Sequence, residues 1–218
     1  MLSWSGGKDS SLALHEIRRT GEYKVVALMT TVTREFDRIS MHGVRRSLLY
    51  AQAASLGVPL EEIWIPSKAT NEVYEAQMKA ILLKHKAEGA NEVAFGDLFL
   101  QDIRAYREER LAQVGMQGVF PLWGRDTTKL AREFIRLGFK AVLCCIDQKK
   151  LGSEFCGRDF DESLLGSLPP SVDPCGENGE FHTFVYAGPI FDHEIAIAKG
   201  EVVLRDGFYF ADLMPRGS

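Results

Sequence analysis

Four cysteines in 218 residues is few, and they stand at 144, 145, 156 and 175 with no CxxC spacing. That excludes a disulfide framework and suits a reducing, cytoplasmic compartment. No apolar run approaches the roughly 18–20 residues needed to cross a bilayer, so no membrane partner is expected. Met1 to Gly7 holds neither a basic segment nor a long apolar one, and no signal peptide is expected from it. Positive charge is not in excess. The 26 Lys and Arg against 30 Asp and Glu give a net charge of −4, which argues against tRNA or any partner held mainly by phosphates. Two phosphate-binding signatures are also missing. Without GxxxxGK followed by Ser or Thr the chain is not a P-loop kinase or GTPase, and without GxGxxG no dinucleotide site is indicated. Repeats and low-complexity tracts are lacking as well.

What is present is ordinary globular material, 45% hydrophobic and 26% charged. At roughly 150 residues per domain, the length suits one large domain with a small appendage. Short apolar runs at Leu2–Trp4, Val25–Val32, Glu61–Pro66, Glu92–Leu98, Gly118–Leu122 and Ala141–Ile146 read as strands. Between them, Asp9–Thr20, Gly43–Leu56, Asn71–Glu88, Asp102–Val114 and Thr127–Leu137 read as amphipathic helices. Glycines follow the first four, and Asp126 is placed to cap the last. The alternation predicts an α/β domain over 1–147, a parallel five- or six-stranded sheet with helices on both faces. Such sheets bind ligands at the carboxyl ends of their strands.

After residue 147 the pattern changes. Asp161–Leu168 is a short helix. Phe181–Tyr186, Glu194–Ala198, Glu201–Leu204 and Phe208–Ala211 read as strands, with turns at Lys199-Gly200 and Asp206-Gly207. This predicts a small C-terminal antiparallel β-rich α+β subdomain over 148–214. Pro215 to Ser218 resemble a protease-site remnant and are left out of the fold prediction.

The chemistry is concentrated in Ser5-Gly6-Gly7-Lys8-Asp9-Ser10, between the first strand and the first helix. Two glycines let backbone N–H groups approach a ligand, and a helix N-terminus adds partial positive charge. Lys8 adds a full charge, Ser5 and Ser10 add hydroxyls, and Asp9 suits a Mg²⁺ carried on phosphate. The plain alternative is a tight turn with Asp9 or Ser10 as a helix cap. The whole string resembles the SGGxDS signature of the PP-loop, or N-type, ATP pyrophosphatases. That resemblance implies an adenine-nucleotide α-hydrolase fold. It also implies ATP cleaved between the α- and β-phosphates, with AMP passing to an acceptor oxygen.

Further blocks follow in order: Gly96-Asp97-Leu98, the helix DIRAYREE from Asp102 to Glu109, Pro121-Leu122-Trp123, and Gly176-Glu177-Asn178-Gly179-Glu180-Phe181. With the loop, they resemble the diphthine–ammonia ligase family over Leu2 to Leu213, in a bacterial-type form. The resemblance implies ATP, Mg²⁺ and ammonia as the small molecules. The acceptor is unidentified, and would be elongation factor 2 in a true diphthine ligase. The same chemistry on a small metabolite or cofactor acid is the alternative, as is a non-catalytic ATP sensor. The acceptor-side blocks depart from the family's DYQRxRVE and GEGGEFET patterns, reading DIRAYREE and GENGEFHT here.

Each block also has a residue-level reading. Asp97, at a strand end, holds Mg²⁺ or a ribose, or else caps the next helix. Arg107 matches a family arginine, whereas its neighbours suit a salt-bridged face. Arg125 clamps phosphate or merely a carboxylate. Glu177 and Glu180 orient an amine or take its proton. His182 is a candidate proton carrier or a structural residue, and His42 is equally ambiguous. Cys144-Cys145 reads as core rather than as a sulfur-transfer site.

Overall fold

The computed structural model describes residues 1–67 and 70–216. In chain order the elements are β1 (Leu2–Ser3), α1 (Lys8–Thr20), β2 (Leu28–Thr33), β3 (Arg38–Ile39), α2 (Arg46–Leu56), β4 (Leu60–Ile65), α3 (Asn71–Ala87), β5 (Glu92–Ala94) and α4 (Gln101–Ala112). They continue with β6 (Gln117–Val119), α5 (Thr127–Arg136), β7 (Lys140–Asp147), α6 (Glu162–Ser167), β8 (Phe181–Ala187), β9 (Ile197–Arg205) and β10 (Phe208–Pro215). The expected stops act as stops. Gly21 and Gly57 end α1 and α2 in left-handed conformations, φ 68° and 64°. Asp126 caps α5, its carboxylate accepting from Lys129 N at 2.8 Å.

Five strands run parallel in the order β4-β2-β1-β5-β6, and β3 folds back antiparallel on β2. The chain winds outward from β1 through β2 to β4, then returns to β5 and β6. The switch point therefore lies between β1 and β5, and the crevice at their carboxyl ends is where a ligand fits. Period-two alternation gives each face its own core. Leu2, Trp4 and Leu28 pack with residues of α1 and α2 such as Leu12 and Leu49. Met1, Met29, Val93 and Phe95 pack with Leu82 of α3 and Leu111 of α4.

The second sheet is antiparallel, in the order β8-β7-β10-β9. Three expectations are corrected here. The run expected as the sixth parallel strand is β7, and it pairs antiparallel with β8 and β10. The boundary drawn at residue 147 therefore cuts through the second sheet. Ala141 to Ile146 are all buried, and a strand buried on both faces has the same composition in either setting. The turn expected at Lys199-Gly200 is absent, because β9 runs straight through it. Gly200 sits where a Cβ would meet Asp212 O at 3.0 Å, beside a register shift between Ala211 and Leu213. Finally, Pro215 pairs with Ile197, and Arg216 N donates to Ala196 O at 2.8 Å, so both belong to the fold. Gly217 and Ser218 lie outside the described residues.

Candidate nucleotide site

β1 delivers the chain to the crevice, where Ser5-Gly6-Gly7 turns into α1. Gly6 has φ 75°, and a Cβ there would meet Gln52 Oε1 at 2.7 Å. Gln52 ties the loop to both sheets. Its Oε1 accepts from Trp4 Nε1 at 2.9 Å, and its Nε2 donates to Gly6 O at 3.0 Å and Val185 O at 2.6 Å. From β8, Val185 N donates to Gly6 O at 2.9 Å, and Thr183 Oγ1 accepts from Lys8 N at 3.0 Å. The second sheet thus holds the loop from its far side. Gly7 opens α1 with no side-chain cap. Ser10 and Ser11 instead donate their hydroxyls to Gly7 O at 3.0 and 2.9 Å, and Ser5 Oγ lies 3.3 Å from Ser10 Oγ. Thr183 takes the first N–H of α1, and a helix N-terminus whose own N-cap residue offers no side chain, behind a glycine pair, is an arrangement that receives anions.

Lys8 is 2% exposed. Its Nζ lies 2.8 Å from both Asp9 carboxylate oxygens and also donates to the Cys175 carbonyl. Burial opposes the ammonium, but Asp9, Cys175 and Glu177 outweigh it and the Lys8 pKa is raised. Glu177 closes the crevice, its Oε1 accepting from Leu98 N at 2.7 Å. Burial, reinforced by Asp9 and Asp97, pushes the Glu177 carboxyl up to about 7. Asp97 meets Arg107 at two points, Nε to Oδ2 at 2.7 Å and Nη2 to Oδ1 at 3.1 Å. The same guanidinium lies 4.3 Å from the Phe95 ring centroid. Beside Arg107, between α3 and α4, a cavity of about 300 Å³ opens over Met29 and Phe95, walled by Tyr74, Met78 and Tyr106.

Other expected residues sit apart from this cluster or serve it differently. At Gly96 a Cβ would meet Asp9 C at 2.7 Å and Ser10 N at 3.0 Å, so the glycine lets the end of β5 press on the first turn of α1. Arg125 pairs with Glu133 and lies 3.8 Å from Glu16. Glu180 is 2% exposed and organises its own turn, Oε1 accepting from Asp173 N at 3.2 Å and Asn178 Nδ2 at 3.1 Å. His182 stacks near His42 with ring centroids 4.4 Å apart. Burial lowers His42 well below the ordinary imidazole range and His182 to about 4, so both are neutral near pH 7 and poor proton carriers there. Cys144 and Cys145 are buried in β7 with raised thiol pKa values, as core residues would be.

Sequence reading missed Gln52, Thr183 and the Cys175 carbonyl. Only Gln52 left a signal, as a polar residue among Leu48, Leu49, Ala53 and Leu56 on the buried stripe of α2. Among the described residues, no group of three or more His, Cys, Asp and Glu is placed to hold a metal ion. Asp97 is closed off by Arg107 and does not fit as a ligand. Asp9, 30% exposed, fits as the single protein carboxylate for a Mg²⁺ arriving on phosphate, which takes one or two carboxylates and several waters.

Residues 1–118 match the family model of the diphthamide synthase N-terminal domain, and residues 126–212 match that of the C-terminal domain. The chain belongs to the diphthamide synthase family. Family relatives include the diphthine–ammonia ligases of Homo sapiens, 26% identical over 95% of this chain and 85% of that protein, and of Danio rerio, 27% identical over 95% and 89%. The Schizosaccharomyces pombe diphthine–ammonia ligase is 26% identical over 91% of this chain, which spans only 36% of that longer protein. Membership in the diphthamide synthase family places the chain among ATP-dependent ligases. A solved structure described as a predicted subunit of tRNA methyltransferase from Methanocaldococcus jannaschii matches at TM-score 0.44 and 19% identity, over 65% of this chain and 78% of that one. No helix among the described residues is long and apolar enough to cross a membrane.

Proposed function

We propose that the chain adenylates the carboxylate of a diphthine-like acceptor with ATP and exchanges AMP for ammonia, forming an amide. The observation that carries this reading is Lys8, buried at the start of α1 behind the Gly6-Gly7 turn and held by Asp9. In the reading, the adenosine lies in the cavity between α3 and α4 and the β- and γ-phosphates lie on the loop. Lys8 then turns its ammonium from Asp9 to the leaving pyrophosphate, a charge-assisted contact. Asp9 is left to hold Mg²⁺, which supplies charge neutralisation on the phosphates.

An acceptor carboxylate oxygen attacks the α-phosphorus, and the bond to the β-phosphate oxygen breaks. Ammonia then attacks the acyl carbon, the carbon–oxygen bond to AMP breaks, and the nitrogen loses a proton to Glu177. A carboxylate with a pKa near 7 is matched to that transfer. Arg107 fixes Asp97 at the rim and orders the cavity wall through Phe95. Most of the acceleration in such a scheme comes from positioning and charge, not from covalent help by the protein.

The test is to incubate the chain with ATP, ammonium and elongation factor 2 carrying diphthine, then weigh the modified peptide. Conversion of the acid to the amide, dependent on both ATP and ammonium, supports the reading. No conversion, with ATP still bound, overturns the acceptor assignment.

A further inference from the structure

We infer that Asp173 is a positioning residue: it holds residues 173–180 as one strap over Lys8, so that ATP, in drawing Lys8 away, also frees Glu177 for its task. This rests on the ligase reading above, which makes Glu177 the proton acceptor. The strap crosses the crevice ahead of β8 and touches three elements that meet there. Glu177 Oε1 accepts from Leu98 N at 2.7 Å, past the end of β5. Cys175 Sγ donates to Thr127 O at 3.3 Å, at the start of α5. The Cys175 carbonyl accepts from Lys8 Nζ, in the first turn of α1.

A lysine ammonium has three N–H donors. Those of Lys8 have three acceptors at hand, the two Asp9 oxygens at 2.8 Å and the Cys175 carbonyl. At 2% exposure the side chain has no open flank for a phosphate. The strap stands over it together with the Phe181 ring, whose centroid is 5.7 Å from Nζ. Lys8 therefore cannot reach ATP while the strap keeps its place. When the ammonium moves to a phosphate, the Cys175 carbonyl loses its donor. Cys175 is buried, and a buried carbonyl left without a donor is unfavourable, so the strap shifts to regain one.

Asp173 decides where that shift goes. Its Oδ1 accepts from Cys175 N at 2.8 Å and from Glu177 N at 3.3 Å, and its carbonyl accepts from Gly176 N at 2.8 Å. Its own N–H goes to Glu180 Oε1 at 3.2 Å, which also takes Asn178 Nδ2 at 3.1 Å. One carboxylate oxygen thus ties the residue that Lys8 releases to the residue that carries the proton acceptor. These bonds lie within the strap and survive its displacement, whereas the three outward ones do not. Glu180 anchors the far end, its carbonyl accepting from Asp147 N at 3.0 Å. Beside it Gly179 has φ 78° and nothing within 4 Å of a Cβ, a joint with room to turn. Carried along with Cys175, Glu177 lets go of Leu98 N, and its Oε1 is open to the nitrogen's proton. The amine step then follows nucleotide binding.

The experiment measures amide hydrogen exchange by NMR on the whole chain, with and without Mg²⁺ and α,β-methylene-ATP, whose scissile bond cannot break. In wild type the analogue should speed exchange at Leu98 tenfold or more, while the Cys175 and Glu177 amides keep their protection. Asp173→Asn retains an Oδ1 acceptor and should behave as wild type. In Asp173→Ala the Cys175 and Glu177 amides should exchange fast without nucleotide, and Leu98 should no longer respond. That variant should bind ATP no more weakly than wild type yet lose kcat tenfold or more. Should it fail to fold, wild type and Asp173→Asn still decide. A Leu98 amide indifferent to bound analogue, an Asp173→Asn variant without the wild-type response, or full kcat in Asp173→Ala overturns this inference alone. A wild type that does not bind the analogue overturns the nucleotide reading and the strap with it. A wild type that shows the Leu98 response but forms no amide overturns the ligase reading and leaves the strap's motion standing.

Discussion

Lys8 and Asp9, consecutive in the chain, hold each other. The Lys8 ammonium lies 2.8 Å from both oxygens of the Asp9 carboxylate, at the first turn of α1. Without nucleotide, the loop's strongest cation is neutralised by its own neighbour. ATP must therefore displace a carboxylate with a phosphate. Lys8→Ala should lose about 1.5–3 kcal/mol of ATP binding, the size of a charge-assisted contact. Asp9→Asn should act differently. It frees Lys8, so metal-free ATP should bind at least as well as to wild type, while the benefit of Mg²⁺ and turnover are lost. Calorimetry with and without Mg²⁺ checks both. Equal ATP affinity in wild type and Lys8→Ala contradicts the assignment.

Glu177 gives the site a pH signature. Burial raises its carboxyl pKa to about 7 in the folded chain, above the ordinary value of 4.5. The folded state then binds the proton more tightly than the unfolded state. The stabilising share from this group is full below about pH 4.5 and is lost as pH rises through about 7. Glu177→Gln should therefore melt higher than wild type at pH 8, with the difference shrinking toward pH 5. In activity the sign reverses, because the carboxylate form is the proton acceptor. Wild-type turnover should rise through pH 7, and the Gln variant should lose that limb while keeping its ATP affinity. A variant with full turnover at pH 8 would remove Glu177 from the chemistry.

Asp212 joins the two sheets, accepting from Arg45 Nη2 at 2.7 Å and from Arg38 Nη2 at 2.9 Å. The hydrogen bond from Arg45, aided by Arg38, holds its carboxyl below the ordinary value of 3.8. Its contribution is present above pH 3.8 and is lost as pH falls through the lower folded pKa. The groups are partly exposed, so Asp212→Asn should cost about 1 kcal/mol at pH 7. Urea melts should show that cost fading toward pH 3. A cost independent of pH would assign Asp212 a packing role only.

Much of this arrangement is legible in the sequence because it is local. The helix stops at Gly21 and Gly57, the Asp126 cap and the loop itself depend on neighbours a few residues away. What could not be read depends on residues far apart in the chain. β7 is apolar on both faces, and nothing in Ala141 to Ile146 says whether its partners are β1-like or β8-like. Likewise, Lys8 N is satisfied by Thr183, 175 residues away, and Gly6 by Gln52 and Val185. Arg125 was ambiguous for a related reason. Its partners in the fold, Glu133 and Glu16, lie outside its own loop.

Gly96 should be intolerant for steric reasons. A methyl group there would sit 2.7 Å from Asp9 C, against the backbone of the loop's helix. Gly96→Ala should cost about 1–3 kcal/mol of stability as α1 shifts to relieve it. It should also weaken ATP binding, since Lys8 and Asp9 move with the turn. Differential scanning calorimetry and nucleotide titration on one preparation test this. Unchanged values of both would mean the turn gives way more easily than its contacts imply.

The account stands or falls on which bond of ATP is cut. Lys8 and the loop are assigned to a leaving pyrophosphate, so the products should be AMP and pyrophosphate in equal amounts, formed only with acceptor and ammonium present. Anion-exchange chromatography of a reaction with α- and γ-labelled ATP reads this directly. ADP and inorganic phosphate as the products, or AMP formed at the same rate without acceptor and ammonium, would contradict it.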